Sequence, residues 1–302
     1  ASECDVYQVP AIANIASQGL LLPLKEYIDR DRFDTGVYID GQVEGWMAAS
    51  DEDKELKIYG LPFIGDTRFV MYDKKIFDDW KVPYLSKEPS PEEILEKAKS
   101  MTGKNPVTGK ENYGIFFKGG DAADTVMNLN EAFGGEWGGG IKFTELKFNF
   151  DTPTMLKALQ LLKELSKYSP QGVMSGQGGE LWSTPDNNIA IHLRAHPGDA
   201  NNVVGVGLTE QYGASYLFVN PQTGKGGMFA GSPYCIGKNC PSKEEAWKYL
   251  KFSSTEFFQR YMWENQRVQF TPVIKEAMKW DSIKGEPVAL TMLESMAYLW
   301  TP

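Results

Sequence analysis

Short apolar runs typical of strands recur along the chain and are separated by polar turns. They occupy residues 5–9, 58–63, 69–72 and 189–194, and the last of these alternates apolar with polar side chains. The second and third runs flank the polar bend Gly65-Asp66-Thr67-Arg68. The pattern therefore predicts several strands, two of which are joined through this bend.

Helical spacing of apolar residues fills the intervals between the predicted strands. Ser90, Ser242 and Ser253 are each followed three residues later by glutamate, which predicts a capping box at a helix N-terminus. Thr152 and Pro153 predict another helix start. The apolar positions at helical spacing in that helix are Leu156, Leu159, Leu162 and Leu165. A last helix is predicted from about residue 287. Strands interleaved with helices predict an α/β architecture.

Composition narrows the class of protein. The 302 residues correspond to about two domains, and 42% hydrophobic with 24% charged residues excludes a disordered chain. A net charge of −9 without a basic stripe argues against nucleic acid as a partner. No apolar run approaches the roughly 18 residues of a membrane helix, and the N-terminus carries no signal-peptide pattern. No linker separates two halves, so we expect two lobes joined by several chain crossings.

Motifs for catalysis and for cofactors are absent from the sequence. It contains no phosphate-binding loop, no dinucleotide fingerprint and no nucleophile elbow. With 2 histidines and 3 cysteines, a metal site has few available ligands, so neither a metal nor a cofactor is predicted. The 40 acidic residues leave open an acid pair for glycoside hydrolysis. Cys235 and Cys240 could close a small disulfide loop in an oxidising compartment, or both could be reduced thiols.

Some polar and aromatic side chains stand where ligands are commonly bound. Asp66 and Arg68 offer a hydrogen-bond acceptor and donors together, which suits vicinal hydroxyls, although a surface turn with a weak ion pair is the alternative. His192 and Arg194 share a face of a strand that ends in a polar cluster, the position where open α/β sheets bind ligands. A structural histidine is the alternative there. Trp137, flanked by glycines, is a further candidate contact residue.

Four passages in order along the chain resemble family 1 extracellular solute-binding proteins, the maltose-binding-protein-like components of bacterial ABC importers. The closest resemblance is Tyr59-Gly60-Leu61-Pro62-Phe63 with Asp66-Thr67 and Met71-Tyr72-Asp73-Lys74 after it. The others are residues 5–24, residues 229–252 with the helix Glu244-Glu245-Ala246-Trp247, and residues 269–272. This family typically captures mono-, di- and oligosaccharides or sugar alcohols.

The resemblance implies a two-lobed periplasmic-binding-protein fold of the type II kind, with the ligand cleft between the lobes. Lobe I would comprise residues 1–66 plus 233–268, without the first strand–helix units of its relatives, and lobe II residues 67–232 plus 269–302. It implies a monomer that captures a carbohydrate or polyol by hinge closure and delivers it to a membrane permease. The location would be periplasmic or extracellular, with a tether through a missing N-terminal segment left open.

The resemblance also places ligand contacts. Gln8 falls at the end of the first strand of lobe I, and the bend 66–68 at the first hinge. Asp121 lies in a loop of lobe II, and the second crossing carries Ser232 and Tyr234. The loop after the lobe II strand holds Arg194, His196 and Asp199. Two other readings stay open: a carbohydrate-active hydrolase that uses an acid pair, and an interaction module without a transport role.

Overall fold

The structure, a computed structural model, describes residues 5–9, 12–49, 55–117, 122–139, 147–220, 222–224, 226, 230–266 and 270–298. Its strands are β1 (Val6–Gln8), β2 (Met47–Ala49), β3 (Leu56–Ile58), β4 (Gly60–Asp66), β5 (Phe69–Asp73), β6 (Gly103–Lys104), β7 (Glu111–Phe116), β8 (Gly138–Gly139), β9 (Lys147–Phe148), β10 (Ile189–Ala195), β11 (Tyr212–Tyr216) and β12 (Ala230–Ile236). Its α-helices are α1 (Ile12–Ser17), α2 (Lys25–Asp31), α3 (Lys74–Trp80), α4 (Pro91–Ser100), α5 (Ala122–Ala132), α6 (Pro153–Leu165), α7 (Pro197–Gly205), α8 (Lys243–Ser253), α9 (Glu256–Gln266), α10 (Asp281–Lys284) and α11 (Pro287–Ser295).

Sheet I has three strands in the order β1-β12-β4, and both pairings are antiparallel. The register places Tyr234 of β12 between Gln8 of β1 and Leu61 of β4. A register shift separates Ser232 from Pro233, because proline has no N–H to donate to the ladder. Strand β4 continues to Asp66, beyond the predicted end at residue 63, so Asp66 belongs to the strand rather than to the bend.

Sheet II has five strands in the order β11-β5-β10-β7-β6. Strand β10 is parallel to β7 and antiparallel to β5, so the sheet is mixed. All seven residues of β10 are buried, which is typical of a central strand covered on both faces. Two sheets flanked by helices confirm the predicted α/β class.

The chain passes between the two sheets at two places, after β4 and after β11. Strand β4 of sheet I ends at Asp66 and β5 of sheet II begins at Phe69. The chain returns from β11 to β12, which begins at Ala230. Helix α11 then packs on β5 and β11 of sheet II. The ends of strands from both sheets therefore meet at the crossings.

The segment after α11 also reaches sheet I. The Gln42 amide Nε2 donates to the Met296 carbonyl at 3.3 Å. The Met296 side chain lies against Gly65 of β4, where a Cβ would stand 2.6 Å from the Met296 Sδ. Met296 thus contacts the first crossing from the opposite end of the chain.

The predicted helix starts are confirmed in part. Ser90 Oγ accepts from the Glu93 N–H at 3.0 Å, but the Glu93 carboxylate bonds Ser86 instead of closing a capping box. The predicted capping at Ser242 is wrong, because its side chain makes no cap hydrogen bond. Ser253 is wrong too: its hydroxyl donates to the Leu250 carbonyl. Helix α9 follows Thr255, whose Oγ1 accepts from the Phe258 N–H at 3.3 Å.

Helix α6 begins at Pro153 as predicted, with Thr152 Oγ1 accepting from the Met155 N–H at 3.1 Å. Its buried face differs from the predicted one, however. Leu156 and Leu159 are 57% and 50% exposed, whereas Leu162 and Leu165 are buried. Spacing of three residues drifts around a helix of 3.6 residues per turn, so four leucines spaced by three do not share one face. The buried positions are Met155, Ala158, Leu162 and Leu165.

Candidate functional site

A cleft of about 470 Å³ lies between the end of sheet I and the start of α7, which follows β10 of sheet II. Five residues that the sequence analysis placed in a ligand site line it: Gln8, Asp66, Arg68, His196 and Ser232. The remaining lining residues are Ile64, Gly65, Pro197, Gly198, Gly231, Phe270 and Thr271. Polar groups that are distant in the sequence thus converge on one concave site at the crossings.

A larger surface groove, of about 640 Å³, lies between the N-terminal ends of α4 and α6. Phe133, Lys157 and Phe218 are among the residues that line it. None of the residues that the sequence analysis placed in a ligand site line this groove, and no strand of sheet I contributes to it. The cleft between the sheets is therefore the candidate functional site.

Asp66 and Arg68 form an ion pair at the wall of the cleft. Arg68 Nη1 donates to Asp66 Oδ1 at 2.6 Å and to the Thr67 carbonyl at 2.9 Å. The same Asp66 oxygen accepts from the Thr67 N–H at 2.8 Å. Both side chains keep some exposure, 31% for Asp66 and 18% for Arg68. The pair therefore presents carboxylate and guanidinium groups together to the cleft.

Thr67, which the sequence analysis included in the site, does not line the cleft. Its side chain is fully buried, and its Oγ1 donates to the Arg68 carbonyl at 3.4 Å. Alternation along an extended segment explains this, because Asp66 and Arg68 point to one side and Thr67 to the other.

His196 stands in the opposite wall, as the residue that caps α7. The Nδ1 of its ring accepts from the Gly198 backbone N–H at 3.1 Å, and the backbone N–H of His196 donates to Asp199 Oδ2 at 3.0 Å. These two bonds form a capping box. Asp199 is only 6% exposed and lies behind the wall, so it supports His196 and does not line the cleft.

Arg194 also lies behind the cleft wall. It is 2% exposed, and its Nη2 donates to Asp124 Oδ2 of α5 at 2.6 Å. His192, two residues earlier, is packed edge-on against Phe116 and Trp182, with ring centroids 5.1 Å and 5.2 Å away. The expected shared face of His192 and Arg194 is therefore an interior face of sheet II.

Trp137 is not brought to the cleft. Its indole Nε1 donates to Glu131 Oε1 at 2.9 Å, and the ring packs partly buried against the core. Glu131 is 3% exposed, and burial raises the pKa of its carboxyl to about 8. The hydrogen bond to the buried Glu131, which the sequence around Trp137 does not predict, thus holds Trp137 away from the cleft.

Tyr234 faces away from the cleft. Its ring stacks on Phe63 with centroids 3.8 Å apart, and its hydroxyl accepts from the Tyr249 hydroxyl at 3.2 Å. Ser232, two residues earlier, does line the cleft. The register shift at Pro233 interrupts the usual alternation, so the two residues do not share a face. Asp121 lies outside the described residues.

Phe270, Thr271 and Gly65 are cleft residues that the site prediction missed. The sequence did carry a signal for the first two, since the passage 269–272 resembles a family segment next to a crossing. Gly65 is needed for a close approach: its N–H donates to the Thr271 carbonyl at 2.9 Å while Met296 covers its Cα. Gly231 has φ +124°, a conformation that favours glycine.

In the structure Cys235 and Cys240 are free, buried thiols, which is one of the two states that the sequence left open. Cys235 packs in a small core with Ile12 and Trp46, whereas Cys240 packs in the main core. The two sulfur atoms thus belong to different packing clusters. Burial also raises the pKa of the Cys235 thiol well above its usual range.

The part of the chain that the structure describes contains neither a cluster of metal-binding side chains nor a membrane-spanning helix. No group of three or more His, Cys, Asp or Glu residues there could hold a metal ion. Every helix within the described ranges is too short or too polar to cross a membrane.

A family model for bacterial extracellular solute-binding proteins matches residues 2–256. A protein of Brucella abortus (strain 2308) described as a binding protein is 24% identical over 272 residues, covering 89% of this chain and 62% of that relative. The chain therefore spans less than two thirds of the relative's length.

Solved structures share the fold. MalE, a sugar-binding protein of Xanthomonas citri, has a TM-score of 0.80 at 18% identity and covers 98% of this chain and 72% of its own. UgpB of Mycobacterium tuberculosis, in complex with glycerophosphocholine, has a TM-score of 0.75 at 18% identity, with coverage of 99% and 73%. A solute-binding protein of Agrobacterium vitis S4 with bound D-mannitol has a TM-score of 0.72 at 21% identity, with coverage of 99% and 71%.

These similarities agree with the two sheets and the cleft between them, and they show a two-lobed binding-protein fold. The family match covers most of the chain, from the first strand of sheet I to the start of α9. The chain belongs to the family of bacterial extracellular solute-binding proteins.

Proposed function

We propose that the protein captures a sugar or a sugar alcohol in the cleft between its sheets, as the solute-binding component of an ABC importer. The observation that carries this proposal is the convergence of Gln8, Asp66, Arg68, His196 and Ser232 on one cleft at the chain crossings. The structural relatives with bound D-mannitol and maltose support the ligand class.

The chemistry of the cleft suits a ligand with several hydroxyl groups. The Asp66 carboxylate accepts hydrogen bonds and the Arg68 guanidinium donates them in a fixed fork, so adjacent hydroxyls can be bound as donor and acceptor. Ser232 and Gln8 add polar groups from the neighbouring strands of sheet I. Ile64 and Pro197, both partly exposed in the cleft, supply an apolar surface for C–H faces of the ligand. No chemical change of the ligand is part of this function.

Capture follows from movement of the two lobes. Lobe I would comprise residues 1–66 plus 233–268, and lobe II residues 67–232 plus 269–302. Hinge rotation at the crossings would bring the His196 wall of lobe II toward Gln8 and Asp66 of lobe I, with Arg68 at the hinge, so that the ligand contacts both lobes only in the closed state. The higher ligand affinity of that state shifts the population toward it. The closed protein, a monomer outside the cytoplasmic membrane, would then dock on a permease.

Isothermal titration calorimetry with D-mannitol, maltose and glycerophosphocholine, followed by a wider panel of sugars and polyols, tests the proposal. We expect one-to-one binding of a sugar or polyol. Asp66→Ala and Arg68→Ala should each weaken binding by about 1–3 kcal/mol, roughly 5- to 150-fold in Kd, because each leaves a buried hydroxyl without its partner.

A matched control comes from an exposed ion pair on α9, where Arg260 Nε donates to Glu264 Oε1 at 3.0 Å. Glu264→Ala should leave the Kd unchanged. Absence of binding to every sugar and polyol would refute the ligand class. Binding that is equally strong in wild type, Asp66→Ala and Arg68→Ala would refute the site.

A further inference from the structure

The imidazole of His196 is held in one tautomer at the cleft wall. Its Nδ1 accepts from the Gly198 N–H at 3.1 Å, so this nitrogen carries no proton and Nε2 carries it. Nε2 lies 3.5 Å from Asp199 Oδ2. Both nitrogens are thus engaged within α7, and the ring itself forms part of the wall.

Asp199 connects this imidazole to the interior of sheet II. Its Oδ2 accepts from the backbone N–H of His196 at 3.0 Å and lies 3.5 Å from Nε2 of the His196 ring. The same oxygen lies 3.8 Å from Nε2 of the buried His192. Asp199 is 6% exposed and His192 is 1% exposed. One carboxylate therefore contacts the backbone and the ring of the same cleft residue.

We infer that Asp199 is a positioning residue for the cleft: its carboxylate fixes the backbone and ring of His196 at the start of α7, and it sets the pH at which protonation of His196 opens the cap and weakens ligand binding. The inference rests on the proposed function only in what it says about ligand affinity, because the effect on the cap of α7 does not need a ligand.

The physical reason lies in what protonation does to the cap. An imidazolium ion has an N–H at both nitrogens, so Nδ1 can no longer accept from the Gly198 N–H. A positive charge at a helix N-terminus is also unfavourable. The Asp199 carboxylate favours the imidazolium, and therefore sets how far the pH must fall before the cap opens. Histidine titrates between about pH 5 and 8, so the opening falls in an accessible range.

Other charged groups near His196 are already paired within the described residues. Asp66 and Arg68, in the facing wall, bond each other, and Arg194 on β10 bonds Asp124. Helix α11, which packs on α7, carries the charged residue Glu294, whose carboxylate bonds Lys87 and Tyr216. His192 on β10 is the second imidazole that faces Asp199, with its Nε2 at 3.8 Å from Oδ2.

The test measures two properties between pH 7.5 and 5.0. One is the Kd for maltose or D-mannitol. The other is the protection factor of the Gly198 amide in the ligand-free protein, which is the intrinsic hydrogen-exchange rate at each pH divided by the rate measured by NMR. In the wild type, we expect the Kd to weaken about fivefold, the size of a lost helix cap, and the protection factor of the Gly198 amide to fall over the same range. In His196→Asn, where asparagine caps without titrating, both should become flat. In Asp199→Asn, which keeps an acceptor at this position, both changes should move to lower pH.

Each remaining outcome counts against the inference. A pH dependence that persists in His196→Asn would assign the titration to His192. An unshifted midpoint in Asp199→Asn would show that the carboxylate is merely structural. Failure of the proposed function looks different: no sugar or polyol binds, while the pH dependence of the Gly198 protection factor and its changes in both variants remain measurable.

Discussion

Replacement of Gly65 by alanine tests whether the first crossing is closed by the C-terminal segment. A Cβ at this position would lie 2.6 Å from Met296 Sδ, 3.2 Å from Met296 Cε and 3.2 Å from the Pro272 carbonyl oxygen. The Gly65 N–H donates to the Thr271 carbonyl at 2.9 Å, so the strand cannot simply withdraw. Met296 is 1% exposed and has little room to move.

The expected cost of Gly65→Ala is that of overpacking a buried contact, about 1–3 kcal/mol in the free energy of unfolding. Met296→Ala alone should cost about 2–5 kcal/mol, because it opens a cavity. The double variant should be less destabilised than the sum of the two, since the new methyl group then occupies space that Met296 has left.

Urea unfolding followed by circular dichroism gives the four free energies of this cycle. Gly205→Ala at the end of α7 is the control, because a Cβ there meets no atom within 4 Å. It should be neutral or slightly stabilising, as expected for alanine in a helix. A Gly65→Ala variant as stable as the wild type, or strict additivity with Met296→Ala, would refute the proposed contact between the crossing and Met296.

Further predictions concern the buried groups outside the cleft. Burial raises the pKa of Glu131 to about 8, above its unfolded value, so its contribution to stability is fully present in acid and is lost as the pH rises from about 4.5 through 8. Glu131→Gln should remove this slope from thermal unfolding curves measured across that range, and an identical slope in both proteins would contradict the assignment. Trp137→Phe should lower the free energy of unfolding by about 1 kcal/mol, because the hydrogen bond to Glu131 is lost, and should leave the ligand Kd unchanged. A weaker Kd in this variant would show that Trp137 contacts the ligand after all. Cys235 and Cys240 should both react with iodoacetamide in denaturant without reductant, and a mass that shows them blocked would mean that they are bridged.

Local signals predicted the helix starts only where the backbone already had the required conformation. Ser90 and Thr152 precede a proline at the first helical position, and both cap their helices. Ser242 adopts φ −110° and ψ 48°, which turns its hydroxyl away from the helix, although its sequence pattern resembles that at Ser90. The pattern of serine followed three residues later by glutamate favours a helix cap, but the backbone conformation that the fold imposes before α8 prevents it at Ser242.

In the candidate site, too, some residues could be predicted from the sequence and others could not. Asp66 and Arg68 could be selected from the sequence because two apolar strands flank a polar bend. The structure places both at the cleft, where they also form the ion pair that was the alternative interpretation. The orientations of Tyr234 and Trp137 were not predictable. The first depends on the register shift at Pro233, and the second on the buried Glu131, which is fixed by packing between distant segments. Side chains whose direction depends on register or on a remote partner need the structure.

The strand order of sheet I has a consequence for how the chain folds. β1 and β4 form their interstrand bonds with β12 and not with each other, although both precede it by more than half of the chain. During synthesis, the two early strands therefore remain without a ladder partner until residues 230–236 have emerged. Loops of that length are closed late, because their entropy must be overcome before the pairing is gained. Sheet I, and with it the Asp66 wall of the cleft, is expected to form only after residues 230–236 have been made.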